Sequence, residues 1–274
     1  MHIQHEEEFI PRHANYSRCQ ETSRCLKWTT LHGGGGACIC TRCTSRQGGT
    51  MENPVHRHLA DWIMGDDFSC LAAKAAVRRG TLTPVQLGDI GNADTTSDLH
   101  TAIFEFTKME LSPTENFATL VAVFEGPTAL TEPEFDALMW QQLTDLHAVD
   151  VERGFSWAPD VSPDPASPDF AFSLAGHPFF VVGMHENASR ISRRYPRPAL
   201  AFNSNHQFRR LKQSGVYYGL QRRIRQREER LQRSINPNLA EFGEASDARQ
   251  YSGAATDEQW RCPFHPEDGT ASGS

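Results

Sequence analysis

The run 117–124, Phe-Ala-Thr-Leu-Val-Ala-Val-Phe, is apolar except for one threonine and is closed by Gly126 and Pro127. A stretch this short, without polar alternation and rich in β-branched and aromatic residues, reads as a central strand buried on both faces. The chain must then supply elements to cover it.

Helical signals surround the strand. Val55, Leu59, Trp62 and Ile63 recur at helical spacing behind Pro54, a residue suited to a first turn. Asp66 or Asp67 can cap a second helix over 68–79, which Gly80 ends and which holds Cys70 in its first turn. Leu99, Ala102, Ile103 and Phe106 mark a third helix. Thr131 and Glu134 have capping-box spacing ahead of Phe135, Leu138, Met139 and Leu146 on one face. The stretch 159–168 holds four prolines and reads as an exposed loop. Strands resume beyond it. Phe170, Phe172 and Leu174 alternate, Gly176, His177 and Pro178 turn the chain, and 179–184 runs back as a hairpin. A further strand is expected over 199–203 and helices over 209–213 and 217–233, the last closed by Asn236, Pro237 and Asn238. The sum is an α+β domain: a mixed, largely antiparallel sheet flanked by helices, single domain over 51–266.

Residues 1–50 show no sustained period and include four consecutive glycines, Gly33 to Gly36, so a disordered leader with the natural start at Met51 is expected. Residues 267–274 read as a disordered tail. Seven cysteines, five of them in that leader, do not make a disulfide framework. Cys38, Cys40 and Cys43 lack a fourth ligand at zinc spacing, so a chance cluster is the plainer reading. No apolar run approaches the roughly 20 residues of a membrane span, and Glu6, Glu7 and Glu8 without an apolar segment do not read as a secretory signal. A cytoplasmic protein without a membrane partner is expected.

Four places could carry chemistry. After the strand 179–184 comes His185, at a strand end where a ring nitrogen can reach a metal, then Glu186, Arg190, Arg193 and Arg194, arginines able to hold carboxylates or phosphates. A hydrogen-bonded loop histidine beside a solvated arginine face is the plainer alternative. Arg209, Arg210, Lys212, Arg222, Arg223, Arg225, Arg227, Arg230 and Arg233 make a second basic concentration, opposed by Glu228 and Glu229. No nucleic-acid-binding motif accompanies it and the net charge is −7, so no nucleic-acid partner is expected. Cys262 and His265 suit a soft metal or haem iron, although neither a Cys-x-x-Cys-His haem-attachment motif nor a cytochrome P450 cysteine motif is present. Cys70, in a helix's first turn, can gain thiolate character. For both cysteines the bland alternative is a buried inert thiol.

Taken in order, Phe68-Ser-Cys70-Leu-Ala-Ala-Lys74, His177-Pro-Phe-Phe-Val-Val-Gly-Met-His185, Ser189-Arg-x-Ser-Arg-Arg194, Phe202-Asn203, Gln207-Phe208, Ile224-Arg-x-Arg227, Asn236-Pro237, Gln250-Tyr251 and Cys262-Pro-Phe264 resemble the YqcI/YcgG family across nearly all of 51–266. Characterised members are haem proteins that oxygenate nitrogen, including arginine- and guanidine-hydroxylating enzymes of natural-product pathways such as those to D-cycloserine and guanitoxin. The resemblance implies a haem-dependent N-hydroxylase, a monooxygenase holding haem b (iron protoporphyrin IX). Its substrate would be the guanidino or amino nitrogen of a small amino-acid-like molecule such as L-arginine, and its co-reactant an electron donor or peroxide. A haem-binding or sensing protein without turnover is the alternative. Under the resemblance His185 ranks first as axial ligand, Cys70 and Cys262 next, and His177 and His265 behind. Arg190, Arg193 and Arg194 would pair with haem propionates and a substrate carboxylate. Glu186 or Glu244 would hold a substrate guanidinium.

Overall fold

The computed structural model describes residues 54–109, 111, 117–238 and 245–266. The leader 1–50, the Met51 start, Glu244 and the tail 267–274 lie outside them. Five strands, β1 (Leu82–Leu87), β2 (Thr119–Phe124), β3 (Phe172–Leu174), β4 (His177–Met184) and β5 (Ala199–Ser204), form one sheet in the order β1-β2-β5-β4-β3. The run that announced a central strand is β2, buried at all six positions. It pairs in parallel with β1 and antiparallel with β5, and β4 joins β5 and β3 antiparallel. The architecture is thus α+β with a mixed, largely antiparallel sheet, and the described elements belong to one unit, Glu52–Ser274.

β1 went unread in the sequence. Pro84 lies within it, and proline is a poor residue for a strand bonded on both sides. β1 is the sheet's edge, where a missing N–H can face away from β2. The β3–β4 turn also differs from the expected one. Ala175 and Gly176 alone make it, both with positive φ (52° and 68°), so His177 and Pro178 already belong to β4, opposite Leu174 and Ser173.

Among the described residues, six α-helices cover the two faces. α3 (Ala93–Met109) and α4 (Glu132–Glu152) pack on one, against Leu120, Ala122, Phe124, Phe179, Val181, Leu200 and Phe202. Asn92 accepts from the Asp94 amide at the start of α3, and the Thr131–Glu134 capping box opens α4 as expected. His100 Nε2 meets Asp150 Oδ1 at 2.6 Å and its Nδ1 meets Arg153 Nη1 at 2.8 Å, which pins α3 to the end of α4. Tyr251, Cys262 and Phe264 from the C-terminal segment complete this layer. On the other face, α1 (Pro54–Met64) sends Leu59 and Ile63 onto Val121, Val123, Ala199 and Ala201. α2 (Leu71–Arg79), α5 (Asn205–Gln213) and α6 (Val216–Gln232) close that side. Lys74 of α2 ties it to α1 by donating to the Met64 and Gly65 carbonyls, a cation at a helix C-terminus. No helix among the described residues is long and apolar enough to cross a membrane.

Candidate functional site

β5 alternates small and large side chains, and this alternation creates a cavity. Leu200 and Phe202 fill the α3–α4 layer, whereas Ala199 and Ala201 face α1 and α6. Register places Ala201 directly between Val121 of β2 and Val182 of β4, and Asn203 between Thr119 and Phe180. These two cross-strand rows, with Met184, floor a cavity of about 250 Å³. Its walls are Leu59 and Ile63 of α1, Phe68, Ser69 and Cys70 at the head of α2, and Ile224, Arg225 and Glu228 of α6. Arg190, Ser192 and Arg193, in and beside the short 3-10 turn Ile191–Arg193, supply the polar corner.

Cys70 is the N-cap of α2, in extended conformation, so the helix starts three residues later than the expected 68–79. The physical reason lies outside the helix: Phe68 is buried in the α1 layer, and its carbonyl accepts from Arg227 of α6 at 3.2 Å, holding that residue out of helical geometry. The thiol is enclosed by protein yet retains surface toward the cavity. Burial raises its pKa, against an opposing pull from the Ala73 and Ala72 amides at the positive end of α2 and from Arg193. Those amides favour the thiolate electrostatically without closing a capping hydrogen bond.

Arg190 and Glu228 form a buried pair, with Nη2–Oε1 at 2.6 Å and Nε–Oε1 at 3.1 Å. Ser192 donates to the second carboxylate oxygen at 3.1 Å, and Arg190 also reaches the hydroxyl and carbonyl of Ser234 just past α6. Burial pushes the Glu228 pKa upward, but hydrogen bonds from Ser69, Arg190 and Ser192 outweigh it and hold the carboxyl below its ordinary range. Arg193 is anchored differently, donating to the carbonyls of Gly183 (3.2 Å), Tyr251 (2.6 Å) and Gln250 (2.7 Å).

Of the candidate ligand and cofactor-binding residues named in the sequence, Cys70, Arg190 and Arg193 come together at this cavity, and His185, Cys262, His177, His265, Arg194 and Glu186 do not. His185, 1% exposed, lies on the opposite side of the sheet, stacked on Phe135 of α4 at 4.4 Å. Among the described residues no hydrogen bond of good geometry reaches either ring nitrogen, and burial lowers its pKa against a weaker opposing pull from Glu132 and the Leu130 backbone. It does not reach the cavity as an iron ligand there would have to. Cys262 is buried in the α3–α4 layer, where burial pushes its thiol to about 12. His177 hydrogen-bonds Ser204 Oγ at 2.8 Å beside His206, and burial followed by the His206 charge takes it down to about 4. His265 is exposed. Arg194 is exposed and donates to the Ala188 carbonyl at 2.8 Å. Glu186 accepts from the Ala129 amide in an exposed loop contact, away from the cavity. The carboxylate that does line the cavity is Glu228, legible in the sequence only as a counter-charge in a basic helix. Part of that basic helix therefore covers the cavity instead of forming a uniform solvated face. The signal that would have located the site is the small–large alternation of β5.

A profile of the YqcI/YcgG family matches residues 59–265. Two relatives come from Bacillus subtilis (strain 168), each named only as an uncharacterized protein. YcgG is 27% identical over 214 residues, covering 73% of this chain and 83% of its own length. YqcI is 24% identical over 207 residues, covering 72% and 80%. No solved structure matches the chain at a significant level. The family match takes in every wall of the cavity, from Leu59 to Gln250, and the chain belongs to the YqcI/YcgG family.

Proposed function

We propose that the chain is a haem-dependent N-oxygenase using this cavity, with Cys70 as the protein ligand to iron and a small amino-acid-like guanidine or amine as substrate. The observation that carries the reading is a thiol at a cavity wall, set between an apolar floor and a cationic corner. A soft sulfur donor suits haem iron, the Val121, Ala201, Val182 and Met184 part of the floor suits a porphyrin face, and the Arg193 guanidinium suits a propionate. At about 250 Å³ the cavity falls just below the roughly 300–1,000 Å³ of small-molecule pockets. Among the described residues of α6 only Glu228 is fully buried, so enlarging the cavity on that side would break chiefly the Arg190–Glu228 pair.

Bound here, haem would supply the activation of oxygen or peroxide that nitrogen hydroxylation requires. The chain's own part is local. Cys70 is a thiol at neutral pH and gives up a proton on ligating a metal, so affinity rises with pH. The Ala72 and Ala73 amides and Arg193 stabilise the resulting negative sulfur. Leu59, Ile63 and Phe68 keep bulk water from that side of the cavity.

The test is the absorption spectrum of haem-reconstituted protein, oxidised and as the ferrous–CO adduct, for wild type, Cys70→Ser and His185→Phe. The expected result is a thiolate-type Soret band in wild type and His185→Phe, lost in Cys70→Ser. A wild type that takes up no haem removes the reading, and an unchanged Cys70→Ser spectrum removes the ligand assignment. Product analysis with L-arginine and peroxide or a reductant then separates turnover from sensing.

A further inference from the structure

The charges around the cavity do not cancel. Arg190 and Glu228 neutralise one another at 2.6 Å. Arg193 has no carboxylate at ion-pair distance among the described residues. Its three hydrogen bonds run to the carbonyls of Gly183, Tyr251 and Gln250, which orient a guanidinium but bring no opposite charge. Of the five N–H groups an arginine carries, two are left without a partner among the described residues. Glu228 and Glu132 favour the Arg193 charge without touching it: Glu228 is engaged by Arg190 and Ser192, and Glu132 accepts from the Ser189 amide and hydroxyl at 2.9 and 2.8 Å. Burial draws the Arg193 pKa down from 12.5 to about 10, which still leaves a cation at neutral pH.

A partly buried cation with no carboxylate in contact is under-compensated, and an anionic group brought by a ligand would complete its surroundings. The backbone around Arg193 is built to hold it in place. Gly253, at φ +86°, lies so close that a β-carbon there would sit 2.6 Å from Arg193 Cδ and 2.9 Å from its Nε. Glycine therefore serves two needs at this position, the left-handed backbone and the close approach.

We propose that the missing counter-charge belongs to the ligand: the cavity takes a small organic carboxylate, and Arg193 is the residue that binds it. Arg190, committed to Glu228, and Arg194, outside the cavity, do not share this role. Two carboxylates fit the chemistry, a propionate of a porphyrin and the carboxylate of an amino-acid substrate. Both candidates rest on the haem N-oxygenase reading, whereas the carboxylate preference rests on the charges alone.

The experiment uses two matched pairs of probes, haem with its dimethyl ester and L-arginine with agmatine, the second of each pair lacking the carboxylate charge. Binding is followed by absorbance for the porphyrins and by calorimetry for the others, on the full chain and on Arg193→Gln and Arg193→Lys. In wild type at least one pair should differ by about tenfold to a hundredfold in favour of the carboxylate, the range of a charge-assisted hydrogen bond. Arg193→Gln should cut that difference below about threefold, and Arg193→Lys, which keeps the charge, should retain part of it. A preference confined to the porphyrin pair assigns Arg193 to a propionate, and one confined to the arginine pair assigns it to the substrate. If haem does not bind but arginine is preferred over agmatine through Arg193, the inference stands and the haem reading fails. If wild type prefers neither carboxylate, the inference is overturned, whatever becomes of the variants.

Discussion

Replacing Glu228 by leucine tests whether α6 is held over the cavity by the buried ion pair. The substitution keeps a similar volume, removes the acceptor of both Arg190 bonds and of the Ser192 hydroxyl, and strands a guanidinium whose side chain is only 7% exposed. Breaking a buried pair by deleting one partner costs about 3–5 kcal/mol. The lower end, about 3 kcal/mol, is expected here because water can enter the cavity beside Arg190. At about 2–4 °C per kcal/mol for a domain of this size, the melting temperature should fall by about 6–12 °C. The double variant Arg190→Met/Glu228→Leu should recover most of that loss, because the penalty lies in the uncompensated charge. The pH dependence has a defined sign. Glu228 has a depressed pKa in the folded state, so its contribution is present above the ordinary carboxylate range and is lost as pH falls through the folded value. The gap between wild type and Glu228→Leu should therefore be widest at neutral pH and close in acid. Calorimetry and urea unfolding of the four proteins of the cycle measure this. Additive single substitutions, or a loss below about 1 kcal/mol, would refute a coupled buried pair.

Two other perturbations probe groups that the cavity does not use. His185→Phe should be neutral or stabilising by about 1 kcal/mol, because the histidine is buried against Phe135 with no hydrogen bond of good geometry at either nitrogen among the described residues. Its pKa is lowered on folding, so wild-type stability should fall as pH drops below about 6.5. That acid limb should be shallower in the variant by urea unfolding, although His177, held at about 4, keeps part of it. Asp247 is buried with only the Lys212 charge opposing the effect, and its pKa is pushed up to about 7. An acid whose pKa rises on folding loses stability as pH climbs from its ordinary value to the folded one. Asp247→Asn should match wild type near pH 4 and exceed it at pH 8 by at most about 4 kcal/mol, read from melting temperatures across that range.

Local signals marked the elements well wherever one residue or one short period suffices. The apolar run of β2, the Thr131–Glu134 box and Gly80 at the end of α2 all work through neighbours within a turn or a strand. They failed where tertiary contacts overrode them. β1 tolerates Pro84 because it is an edge, and α2 starts late because Arg227, far along the chain, holds the Phe68 carbonyl. Side-chain chemistry was the least legible. His185 and Met184 are adjacent in sequence, yet strand alternation sends Met184 to the cavity and leaves His185 on the α4 side. The family resemblance ranked the histidine first; the pleat of the sheet turns it away from the cavity, and the head of α2 brings the Cys70 thiol to the wall instead.

The amino-acid sequence alone determined the fold class, the central strand, the best-capped helix and the family, because each rests on short-range pattern or on motifs in order. Only the tertiary structure decided that Cys70, Arg190, Arg193 and Glu228 meet. The first and last of these are 158 positions apart by their numbers and are joined through α6 lying across the sheet. Contacts of that span depend on register and on helix packing, which no local periodicity encodes. For the same reason the unmatched charge on Arg193 emerges only when its three carbonyl partners and the Arg190–Glu228 pair are seen together.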